Sequence, residues 1–325
     1  MRFARPRRTS LGIALAAGLA LSLVACGGDG EKSANGLEKS SITVGVMPIT
    51  EGAAVQIAIN KGFFKAEGLD VKLRTVTGAA EALPLLKSGQ IQLAHGGHVG
   101  IIQAHASKTY KLKIVSEASS MTKNLNGVLV PKDSPIKSPK DLAGKKVGTN
   151  AIGNQNSLLL RATLEPFGVK VDEKKDVVVA PFPNQEQLLK QKKVDAVVVP
   201  EPFVTQMQQS IGARILTDFS SGPTKDFPIT GFAATEEFAA ENPKTVAAFQ
   251  RAFAKAQAVA SDRAVLQEAM SKFTKMPPQL VSVVTLNGYP TSTSATRIQR
   301  VADVMKQFGY LQEPFDAKTI VLQTG

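Results

Sequence analysis

Four polar clusters in this sequence have the residue types to hold a small molecule. Gly153-Asn154-Gln155-Asn156-Ser157 stands between a short β-branched run and an apolar helical stretch. The first N–H groups of a helix lack intrahelical acceptors, and together with the macrodipole and flanking amides they suit an anionic or strongly polar group. One Asn or Ser would cap the helix; four polar residues after a glycine exceed that need, so ligand contact is expected. Pro48-Ile49-Thr50-Glu51 follows the first apolar run, and Glu51 suits an ammonium or amidine, or else stabilises the next helix start as an acidic first-turn residue. In His95-Gly96-Gly97-His98 the glycines allow close backbone approach and the imidazoles offer donors and acceptors, which makes Gly97 and His98 candidates. Glu201, between Pro200 and Pro202, is either a ligand contact or a helix cap.

Other chemistries fail on composition. Two histidines three apart suggest zinc, but such a site needs three or four ligands, His105 is the only other histidine, and the single cysteine is Cys26. No metal and no cofactor are expected. Ser134-Pro135-Ile136-Lys137 has the bare Ser-x-x-Lys spacing of serine acylases, yet Pro135 and Pro139 put it in a turn-rich loop instead of a helix. No phosphate-cradling P-loop or nucleophile elbow occurs. The chain is expected to bind rather than catalyse.

The elements that must position these clusters alternate. Ile42 to Met47 reads as a strand, Ala53 to Lys61 as a helix closed by Gly62, and Val71 to Val76 as the next strand. Helix Ala79 to Lys87, strand Ile91 to Ala94, helix Val99 to Ser107 and strand Leu112 to Ser116 continue this βαβ rhythm, which implies mainly parallel sheets in an α/β fold. A second set follows the proline-punctuated stretch Pro131 to Pro139. It comprises strand Lys146 to Thr149, helix Gln155 to Phe167, strand Val177 to Ala180, helix Gln185 to Gln191, and strands Ala196 to Val199 and Arg214 to Leu216. After the strand-like Ile229 to Thr235 the chain turns helical. From Asn242 and Pro243 onward, Val246, Phe249, Phe253, Ala256 and Ala260 share one face, so this tail must clothe an existing sheet, expected to be the first.

The N-terminal end carries an address. Arg2, Arg5, Arg7 and Arg8 precede an apolar run from Leu11 to Ala25, too short to span a bilayer comfortably, and Leu23-Val24-Ala25-Cys26 resembles the bacterial lipobox. Residues 1–25 are therefore expected to be a lipoprotein signal peptide, with export by the general or the twin-arginine route left open. Cys26 is expected to be acylated, anchoring the protein on the extracytoplasmic face of the cell membrane. The Gly-, Ser- and charge-rich 26–40 stretch is expected to be a flexible tether. The formal charge is +12. Lysines alternate with acids and Trp is absent, so a solvated basic surface near anionic lipid or wall polymer fits better than a nucleic-acid partner.

Ile57-Ala58-Ile59-Asn60-Lys61-Gly62-Phe63-Phe64-Lys65-Ala66-Glu67-Gly68-Leu69-Asp70-Val71 resembles the signature of the nitrate/sulfonate/taurine and thiamine-precursor substrate-binding proteins of ABC importers. Ala82 to Leu93, Asp141 to Thr149 and Leu188 to Phe203 match the same family in the same order. The resemblance implies a two-lobed periplasmic-binding-protein-like fold of type II, with ligand between the lobes and the C-terminal helices returning to lobe one. Lobe one is expected at 41–127 and 223–325, and lobe two at 128–222. It favours ligand contact by Glu201. It also adds Ser119, Thr230 and Phe232, near the expected crossings, as weaker candidates; Phe232 would cover an apolar part of the ligand, unless it is ordinary core. The implied function is delivery of a small polar solute to a permease and its ATPase, by a protein expected to be a monomer. The solute would be of aliphatic sulfonate, taurine or nitrate type, or alternatively a thiamine-pyrimidine precursor. An extracytoplasmic enzyme or sensory module on the same fold is the alternative of another class. No arginine falls in the site loops, so an oxyanion would depend on N–H groups and amides.

Overall fold

The alternating β-branched runs become ten strands: β1 (Ser41–Val46), β2 (Asp70–Thr75), β3 (Leu93–Gly97), β4 (Leu112–Ser120), β5 (Asn126–Val130), β6 (Val147–Thr149), β7 (Val177–Val179), β8 (Ala196–Pro200), β9 (Arg214–Asp218) and β10 (Pro228–Thr235). They form two five-stranded sheets, ordered β2-β1-β3-β10-β4 and β7-β6-β8-β5-β9. The structure is a computed structural model and describes residues 36–274 and 276–322; the expected signal segment, Cys26 and most of the tether lie outside the described residues.

The two sheets repeat one plan. In the first, β1 pairs parallel with β2 and β3, while β10 runs antiparallel to both β3 and β4. In the second, β6 pairs parallel with β7 and β8, while β5 runs antiparallel to both β8 and β9. This corrects the expectation of mainly parallel sheets to mixed ones. Parallel neighbours need a crossover such as a helix, and each sheet has three strands joined that way. The antiparallel strand in each follows a direct connection from the other sheet, 121–125 before β5 and 219–227 before β10.

Burial follows the sequence pattern. In β1, Ile42, Val44 and Val46 are buried, and all of Ala196–Pro200 is buried, as expected of a central strand covered on both faces. Helix Pro243–Val259 starts with Pro at its first position and buries Val246, Phe249, Phe253 and Ala256. Phe249 stacks on Phe64 at 5.3 Å between ring centroids and meets Phe232 edge-on at 5.4 Å. Each such buried ring stabilises the fold by roughly 1.5–3 kcal/mol. Helix Arg263–Thr274 contributes Leu266 and Met270 to a cluster with Ala53, at the start of the first helix. Helices Pro243–Val259 and Arg263–Thr274 therefore cover one face of the first sheet, as the one-sided apolar pattern requires, while helix Ala295–Gln307 buries Ile298, Val301, Ala302 and Met305 in the other large cluster, with Ile114 of β4 and Ala233 of β10.

Four helices that the sequence pattern does not mark complete the layers: Phe63–Ala66, Glu173–Asp176, Phe203–Ile211 and Glu236–Glu241. Among the described residues no helix is long and apolar enough to cross a membrane.

Candidate functional site

A cleft of about 990 Å³ opens where the parallel strands of both sheets end. In open α/β sheets this edge is where loops and helix N-termini converge on a ligand. Met47, Ile49 and Glu51 follow β1, the Thr77–Ala80 turn follows β2, Gly97 ends β3, the Asn150–Asn156 segment follows β6, Phe182 lies beyond β7, and Pro200 ends β8.

Two helix starts meet across the cleft. Helix His98–Ala106 begins directly at the end of β3, and helix Gln155–Leu164 begins after β6. The backbone N–H of Val99 donates to Oε1 of Gln155 at 3.3 Å, and the two backbones approach so closely that a Cβ on Gly97 would lie 2.9 Å from Cβ of Gln155. Only glycine allows this approach. Nε2 of Gln155 is buried without a protein partner. The cleft thus holds a free amide donor beside two first-turn sets of N–H groups, an arrangement that favours anionic or strongly polar groups.

The rest of the 153–157 cluster is committed largely to itself. Oδ1 of Asn154 caps the helix by accepting from the Ser157 N–H at 3.0 Å, and Ser157 Oγ donates to the Ala151 carbonyl at 3.0 Å. Oδ1 of Asn150 accepts from the side-chain amides of Asn154 at 2.8 Å and Asn156 at 3.1 Å. Asn126 Nδ2 in turn donates to Asn156 Oδ1 at 3.0 Å. This web fixes the loop, and Gly153, Asn154, Gln155 and Asn156 line the cleft while Ser157 supports them from behind.

Opposite, Glu51 lies in the 3-10 turn Thr50–Gly52 with Oε2 buried and unpartnered. Burial pushes its carboxyl up to about 8, and nearby Glu201 adds to the shift. At neutral pH Glu51 is therefore largely a neutral acid at the wall of the cleft. Thr50 does not line the cleft; its hydroxyl donates to the Glu201 carbonyl at 3.4 Å, a bond between the two halves.

The structure puts several expected contacts elsewhere. His98 lies beneath the floor, its Cε1 only 2.4 Å from where a Cβ on Gly231 would stand. Nε2 of His95 and both ring nitrogens of His98 are buried without partners. Burial pushes both imidazoles down to about 3; the Thr230 backbone, close to the His98 ring but outside hydrogen-bonding geometry, opposes that shift only partly. They are neutral packing groups at physiological pH. Glu201 is spent on protein: Oε1 accepts from Thr205 Oγ1 at 2.7 Å and from the Thr285 N–H at 2.8 Å, and Oε2 accepts from the Thr205 N–H at 3.0 Å. Of the two readings open to it, cap and brace describe it, not contact. Ser119 is buried with its hydroxyl 2.8 Å from that of Thr230; Thr230 reaches the cleft and Ser119 does not. Phe232 is fully buried, stacked on His95 at 5.0 Å and edge-on to Phe253 at 5.1 Å, so it is core.

Sequence reasoning missed Asn150, Asn126, Gln103 and the C-terminal stretch from Tyr310 to Phe315 among the residues around the site. Asn150 directly follows β6, and the rule of strand ends would have reached it. Tyr310 carries no local signal, because only the return of the last helix brings it to the cleft. Much of the wall is apolar, with Met47, Ile49, Leu83, Phe182, Ile229 and Leu311. Among the described residues no group of three or more His, Cys, Asp or Glu is placed to hold a metal ion.

Two mixed sheets joined by two direct crossings, with polar loops converging on the gap between them, define a two-lobed binding-protein fold. Residues 50–264 match the family model described as "NMT1/THI5 like", and the chain belongs to that family. Among curated relatives it is 26% identical to the nitrate import ATP-binding protein NrtC of Synechocystis sp., over 73% of this chain and 37% of that one. It is 30% identical to the formylaminopyrimidine-binding protein of Halalkalibacterium halodurans, over 46% of this chain and 44% of that one. The chain thus spans less than half the length of these two relatives. In fold it is similar to the alkanesulfonate-binding protein SsuA of Xanthomonas axonopodis pv. citri, with a TM-score of 0.73 at 16% identity, covering 87% of this chain and 98% of that one.

Proposed function

We propose that this chain is the lipid-anchored, extracytoplasmic solute-binding component of an ABC importer, which closes two lobes over a small polar solute and hands it to a permease driven by an ATPase. The proposed organisation is a signal peptide at 1–25, acylated Cys26, a tether to residue 40, lobe one at 41–127 with 223–325, and lobe two at 128–222. The protein acts as a monomer. The observation that carries this reading is the meeting of two helix starts at Val99 and Gln155, one from each sheet, over a cleft with unspent donors. A ligand that bonds to both halves exists as a bridge only when they are together, so its differential affinity shifts the equilibrium towards closure. The positive ends of the two helices and the unspent Gln155 amide suit an oxyanion, hence a solute of aliphatic sulfonate, taurine or nitrate type.

One observation favours a second solute class. The buried carboxyl of Glu51, its Oε2 without a partner, stands among apolar walls, a setting that suits a flat ring carrying polar groups, such as a thiamine-pyrimidine precursor. Mass spectrometry of small molecules released from the freshly purified mature protein tests both. A sulfur oxyanion, nitrate or an aminopyrimidine supports the reading, and a turnover product made from an added member of the panel would replace it with an enzyme.

A further inference from the structure

Glu173 joins three elements at the mouth of the cleft. It opens the short helix Glu173–Asp176 between β6 and β7, outside every motif that marks the site. Its Oε2 accepts the Gly153 N–H at 2.7 Å, at the head of the ligand loop. Its Oε1 accepts the hydroxyl of Tyr310 and lies 3.5 Å from Nη1 of Arg161, on the helix that the loop opens. The Arg161 guanidinium lies over the rings of Tyr310, at 5.3 Å, and Phe308, at 5.7 Å.

Tyr310 comes from the other half of the molecule. It follows helix Ala295–Gln307, its N–H donates to the Met305 carbonyl at 2.8 Å, and the nearby Phe315 ring meets His105 of the first half edge-on at 5.9 Å. Tyr310 also lines the cleft. Burial and the neighbouring carboxylate hold its phenol above the ordinary tyrosine range, so it is a donor at any physiological pH.

We infer that Glu173 is a positioning residue for solute capture: through Tyr310 it senses that the halves have met, and through the Gly153 N–H it holds the ligand loop in its binding shape. The basis is that one carboxylate serves both bonds. When the halves part, the Tyr310 hydroxyl leaves, Arg161 loses the aromatic face it covers, and the restraint on Gly153 weakens. Loop order and closure are then coupled through one side chain, as a two-state element biased from both sides requires. Gly153 has a φ of +69°, a conformation open to glycine at little cost, so the loop can relax readily once that N–H is released.

This inference rests on the proposed closing motion but is tested without any solute. Because Cys26 is the only native cysteine, a soluble chain beginning after it can carry one spin label on each half, for example at exposed Lys72 in β2 and exposed Lys192 in the turn before β8, and the distance distribution reads closure directly. Tyr310→Phe keeps the ring over Arg161 and removes only the hydroxyl; Glu173→Gln is the complementary variant. Each is expected to shrink the short-distance population and to speed amide exchange across 150–157 by roughly tenfold to a hundredfold, the effect of losing one charge-assisted hydrogen bond. Exchange in β1 and β8 should stay as in the parent, which a general loss of stability would not allow. Unchanged distances and unchanged loop exchange in Tyr310→Phe would overturn the inference. If the distances move while no panel solute binds, the latch stands and the transport reading fails.

Discussion

The Val99 N–H and the Gln155 side-chain oxygen, 3.3 Å apart, join the start of a helix in one half of the molecule to the start of a helix in the other. Two macrodipoles meet there with their positive ends together, each equivalent to about half an elementary charge. In an empty cleft that convergence is unfavourable, and a bound oxyanion or carbonyl relieves it. The proposed solute capture and closure would then be linked through the electrostatics of these two helix ends, with Gln155 as the bridge.

Gln155→Ala removes both the bridge and the free amide donor. The cost of such a hydrogen bond is about 1–3 kcal/mol when its partner stays buried, so solute affinity should fall roughly tenfold to a hundredfold by calorimetry, with the melting temperature nearly unchanged.

Gly97→Ala tests the closeness of the halves. The φ of Gly97 is −65°, which alanine adopts freely, so the backbone is not strained. Its Cβ would stand 2.9 Å from that of Gln155. The ligand-free melting temperature should hold while affinity drops by at least about tenfold, because a backbone-rooted clash across the gap costs on the order of 1–3 kcal/mol. Retained affinity would mean that the halves bind solute without meeting here.

The buried titratable groups predict a humped stability profile. Glu51 titrates near 8 when folded against an ordinary value of 4.5, so between those values the folded state holds the extra proton and stability falls as pH rises. His95 and His98 titrate near 3 against 6.5, so between 3 and 6.5 the unfolded state holds the extra protons and stability rises with pH. Melting temperature should climb below about pH 4.5, where the histidines act without the raised carboxyls, and decline from about pH 6.5 towards 8, where the histidines no longer act, with a limit of about 1.4 kcal/mol per pH unit from one group. Burial also raises Glu117 and Glu201, so the comparison that isolates Glu51 is Glu51→Gln, in which the decline above pH 6.5 should flatten.

Glu201→Ala leaves the Thr205 hydroxyl and the N–H groups of Thr205 and Thr285 without their acceptor. A loss of about 2–4 kcal/mol is expected in denaturant unfolding, from stranded donors and lost packing.

Much of this was legible in the residues. Helix Ala79–Lys87 is legible to the residue, because apolar spacing and the flanking Gly78 and Ser88 mark its ends. The mixed sheets were not legible, since a strand shows its burial in its sequence but not the direction of its neighbour. β5 and β10 are as buried as the central parallel strand β8. The site divides similarly. Gly97, Glu51 and the 153–156 loop were found because they follow strands. Glu201 and His98 also follow strands, but their side chains turn into protein, and nothing local distinguishes the two outcomes. Glu173 and Tyr310 reach the site only through tertiary return.

X-ray scattering of the mature protein, titrated with nitrate, taurine, an aliphatic sulfonate and an aminopyrimidine, decides whether the two halves close on a small polar solute. A saturable fall in radius of gyration is expected with at least one of these compounds, abolished by Gly97→Ala. Saturable binding with no change in radius would contradict closure, and absence of binding across the whole panel would contradict the function.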